Sequence, residues 1–266
     1  VTGVQTCALP ILLYEAFGWE HPEYIHLPHI IREDGAKMSK RKGDPSFEDL
    51  VRMGFLPQAI VNYVALLGWN PGDEREFFLM EDLIDAFDMD RINKANAAFS
   101  INKLRWLNGE HIRSLTPQAF HEIALGFYPE GLAGFDLEKI SQLIQIRTET
   151  LTDIPGLVGF LANLPEYAPN LFVNQKSKST LESSRVVLEN ALPLLENLET
   201  WTNEGLFEEL KAFSQEQGLK LGTVMWPIRT ALSGQETSPG GATELAALLG
   251  KDESLRRIKL GLGKLV

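Results

Sequence analysis

The spacing of apolar residues predicts two kinds of structure along the chain. Short β-branched or apolar runs at 24–28 and 29–32 predict strands, and residues 12–46 are the only part where the pattern predicts any strand. The sequence Glu33-Asp34-Gly35 after these runs predicts a tight turn. From Ser46 onward, apolar residues recur at helical spacing, which predicts a helical protein for the remainder.

Several of these helices have predictable ends. Ser46 is a predicted N-cap for a helix over 47–53 that stops at Gly54, and Pro57 predicts the first turn of the next helix. That second helix is apolar over much of its circumference, so we expect it to be central. A domain boundary is predicted near 115–117, where Thr116-Pro117 restarts a helix. Further helices are predicted over 79–87, 101–107, 137–151, 155–163, 179–196, 204–217, 220–233, 243–250 and 253–261.

Composition narrows the class of protein. Of 266 residues, 44% are hydrophobic and 23% are charged, as in ordinary globular proteins. The net charge of −11 limits the area of any surface that binds nucleic acid. The single cysteine, Cys7, excludes an intrachain disulfide and predicts a reducing, cytoplasmic compartment. No segment reaches the roughly 18 apolar residues of a membrane span, and the spacing of the histidines predicts no metal site and no zinc.

The densest basic cluster is Lys37–Lys42, which has four cations in six residues and is followed by Gly43. One interpretation is a solvated surface loop, as for most such runs. The other is a polyphosphate site, since two lysines three residues apart neutralise charge while Ser39 and nearby N–H groups donate hydrogen bonds. Such a loop acts chiefly on the transition state, when negative charge builds on a leaving pyrophosphate.

Three sequence signatures resemble one family. Lys-Met-Ser-Lys-Arg at 37–41, with its flanks from 24 to 72, resembles the second signature motif of class I aminoacyl-tRNA synthetases and, more closely, bacterial-type glutamyl-tRNA synthetases. Ile-Asn-Lys-Leu-Arg-Trp-Leu-Asn-Gly at 101–109 resembles that family's stem-contact region, and 225–250 resembles its C-terminal anticodon-binding helices. The resemblance covers about residues 12 to 266.

The resemblance implies a mainly α protein. It implies a small α/β remnant of a Rossmann-type catalytic domain, followed by helical stem-contact and anticodon-binding domains. It also implies that the first half of the catalytic domain, with its His-x-Gly-His motif, lies upstream, and that the chain alone makes no adenylate. The expected organisation is 1–11 as a non-native junction, 12–46 as the end of the catalytic domain, 47–115 as the stem-contact domain, and 116–196 and 197–266 as two anticodon-binding subdomains.

The implied activity is glutamate–tRNA ligation with ATP, accompanied by Mg²⁺. Three residues are expected to be catalytic at the ATP phosphates: Lys37, Ser39 and Lys40. The wider set expected to bind ATP is His29, Ile30, Lys37, Met38, Ser39, Lys40 and Arg41. The expected partners are L-glutamate, tRNA(Glu) and, as a second candidate, tRNA(Gln), with no membrane and with a monomeric protein. The rival hypothesis is a non-catalytic helical module that binds tRNA or another RNA.

The residues expected to bind tRNA are Lys103, Arg105, Arg229, Ser238 and Pro239. An arginine can read or stack on a base, and the Ser-Pro-Gly turn carries a hydroxyl and N–H groups for splayed bases. The alternatives are that Arg229 pairs with an acid such as Glu244 and that Ser-Pro-Gly is only a turn. The pattern predicts Trp106 in the core and a solvated acidic face at Asp82, Asp85, Asp88 and Asp90. It leaves open whether Arg256, Arg257, Lys259 and Lys264 bind phosphates or only bias a helix end.

Overall fold

The computed structural model describes residues 2–22, 24–25 and 27–266, with side chains from Pro10 onward, as two compact units. The first unit extends to His111 and the second begins at Ile112, so the division falls within one helix. The first helix, α1 (Thr2–Phe17), runs from the segment that the sequence separates as 1–11 into the residues that follow. The finer organisation of 47–115, 116–196 and 197–266 remains a prediction.

The first unit combines short helices with one two-stranded sheet. Strand β1 (Ile30–Ile31) pairs in parallel with β2 (Ala97–Ala98), and Ile30 lies opposite Ala97. The other helices of this unit are α2 (Phe47–Arg52), α3 (Pro57–Gly68), α4 (Met80–Ala86) and α5 (Ile101–Ser114).

The strand prediction is correct only in part. Tyr24, Ile25, Leu27 and Pro28 lie in non-repetitive structure, and His26 lies outside the described residues. The expectation that strands occur only within 12–46 is wrong, because β2 comes from a segment predicted to be helical. Two alanines carry no strand signal. They pair because the Phe99 N–H donates to the Ile31 carbonyl at 2.8 Å, a tertiary contact that local patterning does not encode.

The predicted helix ends follow from their caps. Ser46 and Asp49 form a capping box, in which each side chain accepts the other residue's N–H. Pro57 occupies the first turn of α3, where its missing N–H costs nothing. As expected, α3 is central to the unit, since it supplies three members of the main apolar cluster. That cluster consists of Leu50, Phe55, Ile60, Tyr63, Leu67, Leu104 and Leu107.

The placement of Trp106 in the core is wrong. Helix α5 buries Leu104, Leu107 and His111, which recur at helical spacing on one face. Trp106 lies about 200° around the helix from Leu104, and 43% of its surface is exposed. Aromatic character therefore gave the wrong burial here, because the register of the helix decides which face turns inward.

The second unit consists of helices joined by turns and loops, with one isolated antiparallel bridge between Asn174 and Ser179. Thr116 caps its first helix by accepting the Ala119 N–H at 3.2 Å, and helix α11 packs against the four helices α9, α10, α12 and α13. The helices are α6 (Pro117–Ala124), α7 (Leu137–Ile144), α8 (Ile154–Ala162), α9 (Leu181–Asn197), α10 (Asn203–Glu216), α11 (Leu221–Ser233), α12 (Ala242–Leu249) and α13 (Lys251–Gly263).

Candidate functional site

A short hairpin positions the predicted ATP-binding residues. Strand β1 enters the turn Glu33–Gly35, where Gly35 has a φ of +82° that disfavours a side chain. The chain then returns antiparallel, with Ile31 opposite Lys37 and the Arg32 N–H donating to the Ala36 carbonyl at 2.8 Å. Because β2 lies on the other side of β1, both flanks of this strand are occupied.

The hairpin leads into the segment Lys37–Asp44, which we call the lysine loop. Ser39 is extended, and Lys40–Lys42 form one 3-10 turn that ends at Gly43 with a φ of +82°. The side chains of Lys37, Lys40, Arg41 and Lys42 are exposed. Within the described chain, Lys40, Arg41 and Lys42 form no ion pair. The loop therefore presents cations to solvent rather than packing them against permanent partners.

Asp44 closes the lysine loop. Its carboxylate accepts the Ser39 N–H at 2.7 Å and forms an ion pair with Arg32 at 2.8 Å. The hydrogen bond from Arg32, followed by the one from Ser39, holds the pKa of Asp44 below its ordinary value. The Ser39 N–H, one of the backbone donors of the lysine loop, is thus already bonded within the chain.

The predicted residues on the hairpin come together. Lys37 Nζ lies 3.4 Å from His29 Nε2, and the His29 N–H donates to Asn96 Oδ1 at 3.2 Å. Met38 and Ile30 are half-buried and line an apolar cleft of about 560 Å³ that Phe47 also lines. The structure therefore gathers His29, Ile30, Lys37 and Met38 beside the cationic turn.

The predicted tRNA contacts on α5 have partners of their own. Lys103 forms an ion pair with Glu76, so its charge is compensated. Arg105 is half-buried and also has a partner of its own. Exposed side chains at Asp82, Asp85, Asp88 and Asp90 confirm the predicted acidic face.

In the second unit, Arg229 is held by neutral acceptors. Its Nη1 donates to Ser238 Oγ at 2.9 Å and its Nη2 to the Glu236 carbonyl at 2.9 Å. The guanidinium stacks on Trp226 with 4.3 Å from its carbon to the ring centre. Burial, and then repulsion from Arg147, lowers the pKa of Arg229, but an arginine stays charged at neutral pH.

The Ser238-Pro239 turn is ordered by the same network. The buried Ser238 hydroxyl donates to the Gly240 carbonyl at 2.8 Å while accepting from Arg229. Glu244 instead accepts the Gly241 N–H at 2.7 Å at the start of α12. The specific alternative that Arg229 pairs with Glu244 is therefore wrong. The two predicted residues Arg229 and Ser238 are therefore neighbours, and the guanidinium of Arg229 donates to the hydroxyl of Ser238.

Two grooves flank this turn. One measures about 690 Å³ and is lined by Trp201, Leu248 and Lys139 among others, and the second measures about 370 Å³. Arg147 and Pro239 line both grooves. Sequence reasoning missed Arg147, because it is a lone cation at the end of a 3-10 turn after α7. Only the tertiary packing brings it near Arg229.

The C-terminal cations all have partners within the second unit. Arg257 is fully buried and donates to the carbonyls of Phe160, Leu232 and Leu161, which excludes it as a phosphate ligand. The remaining three form ion pairs: Arg256 with Glu253, Lys259 with Glu196 and Lys264 with Glu166. The structure therefore favours an architectural role for Arg257.

Neither a metal site nor a membrane-spanning helix is found among the described residues. They contain no cluster of three His, Cys, Asp or Glu side chains with the geometry of a metal site. No helix among them is both long and apolar enough to cross a bilayer. His111, buried in the first unit, lies 3.1 Å from Asn62 through Nε2, and burial lowers its pKa to about 4.

Comparison with known proteins decides the family. Residues 6–106 match the family model for the catalytic domain of class I tRNA synthetases (E and Q), starting within the segment 1–11. Residues 113–262 match the anticodon binding domain model. A glutamate–tRNA ligase from Clostridium botulinum strain Hall is 52% identical over 254 residues, covering 95% of this chain and 52% of its own length. The chain belongs to the glutamate–tRNA ligase family.

Other members of the glutamate–tRNA ligase family agree. The Clostridium tetani glutamate–tRNA ligase is 49% identical over 254 residues, again 95% of this chain and 52% of its own length. A glutamate tRNA ligase structure from Elizabethkingia meningosepticum, solved with its amino acid, superposes with a TM-score of 0.78 at 28% identity. The superposition covers 99% of this chain and 56% of the Elizabethkingia chain. The chain thus spans about half the length of the curated relatives it matches.

Proposed function

We propose that this chain carries the ATP loop and the anticodon-binding part of a glutamate–tRNA ligase. The reaction joins L-glutamate to tRNA(Glu) and converts ATP to AMP and diphosphate. The observation that carries the proposal is the exposed cationic turn Lys40–Lys42 on an anchored hairpin, within a match to a class I catalytic domain. The proposal also includes a cytoplasmic location and a monomeric state, and gel filtration measures the monomeric state.

In the proposed first step, a glutamate carboxylate oxygen attacks the α-phosphorus of ATP. The bond to the bridging oxygen breaks, and pyrophosphate leaves with the electron pair. Lys40, assisted by Lys37 and the Ser39 hydroxyl, neutralises the charge that grows on this leaving group, which lowers the barrier more than it strengthens ATP binding. Arg41 adds charge, and the backbone at His29 and Ile30, with Met38, borders the adenine.

In the proposed second step, the terminal hydroxyl of tRNA attacks the glutamyl carbonyl and AMP leaves. Mg²⁺ is expected to accompany the ATP phosphates, where it offsets their charge. The described residues contain no cluster of three His, Cys, Asp or Glu side chains for such an ion. This chemistry depends chiefly on positioning and charge neutralisation.

The proposed anticodon interface is the region around Arg229, Ser238 and Pro239. Arg229 keeps an uncompensated charge because its acceptors are a hydroxyl and a carbonyl. The two grooves beside Pro239 have room for unstacked bases, and Arg147 lines both of them. Direct contact of Lys103 with tRNA requires its ion pair with Glu76 to open, so this member of the predicted set contributes least.

The catalytic part is tested by pyrophosphate exchange. Residues 12–266 are joined to the matching amino-terminal half of the Clostridium botulinum relative, and glutamate-dependent ATP–pyrophosphate exchange is measured. Lys40→Ala should lower the exchange rate at least about a hundredfold, as expected when a charge that stabilises the transition state is removed. Lys94→Ala, which removes an exposed lysine of the same unit, is the matched control. Equal rates for wild type and Lys40→Ala would contradict the catalytic assignment.

The tRNA part is tested with the chain as it stands. Filter binding at two salt concentrations should show affinity for tRNA(Glu) that weakens with salt. Arg229→Ala should weaken binding, whereas Arg185→Ala, which breaks only a surface pair with Glu189, should not. Equal affinity for tRNA(Glu) and for an unrelated tRNA would favour the rival RNA-binding module, and tRNA(Gln) is tested in the same series.

A further inference from the structure

The lysine loop has an electrostatic problem that its own sequence creates. Four cations lie within six residues, and like charges at such short range repel each other. The turn Lys40–Lys42 also has little to hold it, since its side chains are exposed and its 3-10 hydrogen bonds are few. Something must therefore oppose this repulsion if the loop is to keep one conformation.

The contacts of Asp44 reach both ends of the turn. Before the turn, the Ser39 N–H donates to Asp44 Oδ2 at 2.7 Å. After it, Arg32 Nη2 donates both to Asp44 at 3.0 Å and to the Lys42 carbonyl at 3.3 Å. Arg32 directly follows β1, so this ion pair ties the turn to the sheet.

We propose that Asp44 is a positioning residue that holds the lysine loop in its exposed, ordered form. Its carboxylate compensates part of the repulsion and fixes the point where the cationic turn begins. The proposal rests on the function proposed for the lysine loop in binding ATP. Asp44 acts through Ser39 and Arg32 and does not itself touch the substrate, since a carboxylate would repel the phosphates.

The direct test is amide hydrogen exchange at Ser39, measured by NMR on the whole chain. Asp44→Asn keeps the shape and one acceptor but removes the charge. Because hydrogen bonds to charged groups are stronger than neutral ones, Ser39 exchange should accelerate about tenfold, or about 1.4 kcal/mol. The Ile60 amide, bonded to the Leu56 carbonyl in the core, should not change.

The matched control is Asp34→Asn. Asp34 lies on the same hairpin and, within the described part of the chain, accepts only the Ala36 N–H, at 2.9 Å, so the substitution changes the net charge equally without touching Ser39. Trypsin gives a second measurement, because nicking after Lys40, Arg41 and Lys42 follows the open population of the loop. It should be about tenfold faster in Asp44→Asn and unchanged in Asp34→Asn. Synthetic peptides of residues 33–48, one with the wild-type sequence and one with Asp44→Asn, show how much the substitution itself changes the rate of tryptic cleavage in an unfolded chain.

The effect on the reaction is measured in the joined protein described above. Asp44→Asn should lower kcat for exchange about tenfold while leaving the KM for glutamate unchanged, because the loop acts on the leaving pyrophosphate. A loosened loop with unchanged kcat would overturn the positioning role. So would a change below twofold in Ser39 exchange, or an equal change in Asp34→Asn.

The two proposals can fail separately. If Lys40→Ala leaves exchange intact, the proposed function fails, yet the ordering by Asp44 is still judged from Ser39. If Asp44→Asn does not fold, Arg32→Gln keeps the Ser39 contact and removes the ion pair. Arg32→Gln should then accelerate tryptic nicking by a larger factor than it accelerates amide exchange at Ser39. A larger effect on Ser39 exchange than on nicking would overturn the proposal.

Discussion

Removing the buried charge of Arg257 should destabilise the second unit strongly. Only 1% of this side chain is exposed. Its Nη1 donates to the carbonyls of Phe160 and Leu232 at 2.8 and 2.7 Å, and its Nη2 to that of Leu161 at 2.8 Å. These carbonyls lie in the last turns of α8 and α11, where no N–H of the same helix is available and the helix dipole favours a cation.

The magnitude follows from what Arg257→Met leaves behind. Methionine fills much of the same space but leaves three buried carbonyls without their donor and removes one of the two arginines that pair with Glu253. Each hydrogen bond from a charged donor contributes about 1.5–3 kcal/mol, but such contributions are not additive. Leaving a buried acceptor without its donor costs about 1–3 kcal/mol. With three carbonyls affected, we expect the free energy of unfolding of residues 112–266 to fall by about 3–5 kcal/mol.

The matched control is the neighbouring arginine. Arg256 pairs with the same Glu253 at 2.7 Å, but 56% of its side chain is exposed. Arg256→Met should therefore cost less than about 1 kcal/mol. Hydrogen exchange of α11 and α13 amides in increasing urea reports this unit alone, whereas tryptophan fluorescence mixes both units. A folded Arg257→Met protein that matches Arg256→Met would refute the reasoning.

Three further outcomes are expected. Each is measured by hydrogen exchange of amides in the unit concerned, in increasing concentrations of urea. Hydrogen bonding, first from Arg256, lowers the pKa of Glu253 from 4.5 to about 2. The charged carboxylate therefore stabilises the second unit fully above pH 4.5, and this stabilisation is lost as the pH falls towards 2. Glu253→Gln should not show this pH dependence. Burial lowers the pKa of His111 from 6.5 to about 4. The folded state therefore favours the neutral ring, so stability is highest above pH 6.5 and falls as the pH drops from 6.5 to about 4. His111→Gln should not show this fall. Trp106→Ala should cost less than about 1.5 kcal/mol, but Leu107→Ala about 2–5 kcal/mol; equal costs would contradict the assigned helix face.

Local signals in the sequence predicted most of the helices. Ser46, Pro57 and Thr116 act through contacts within a few residues, so their effect is encoded in the neighbouring sequence. Helix α5 was predicted to end at 107 but continues to Ser114, because burial of His111 extends its inner face. Strand β2 could not be predicted, since its partner is about 67 residues away in sequence and alanine has no preference for strands.

The candidate site divides in the same way. The exposed cationic turn followed from the density of charge and from Gly43, both of which are local. The anchoring of that turn by Asp44 through Arg32 depends on a hairpin that the sequence only outlines. Arg147 gave no signal at all, because it is an isolated cation that reaches the Ser238-Pro239 turn by packing of α7.

The distribution of unpaired charge explains how so acidic a chain can bind polyanions. With a net charge of −11, the average field repels phosphate, and many cations are compensated by carboxylates, as Lys103 is by Glu76. The cations without an ion pair among the described residues include the turn Lys40–Lys42 and Arg229, whose hydrogen-bond acceptors are a hydroxyl and a carbonyl. A cation bonded to a neutral acceptor keeps its full charge. Attraction of polyanions to the turn Lys40–Lys42 and to Arg229 should therefore weaken when salt is raised.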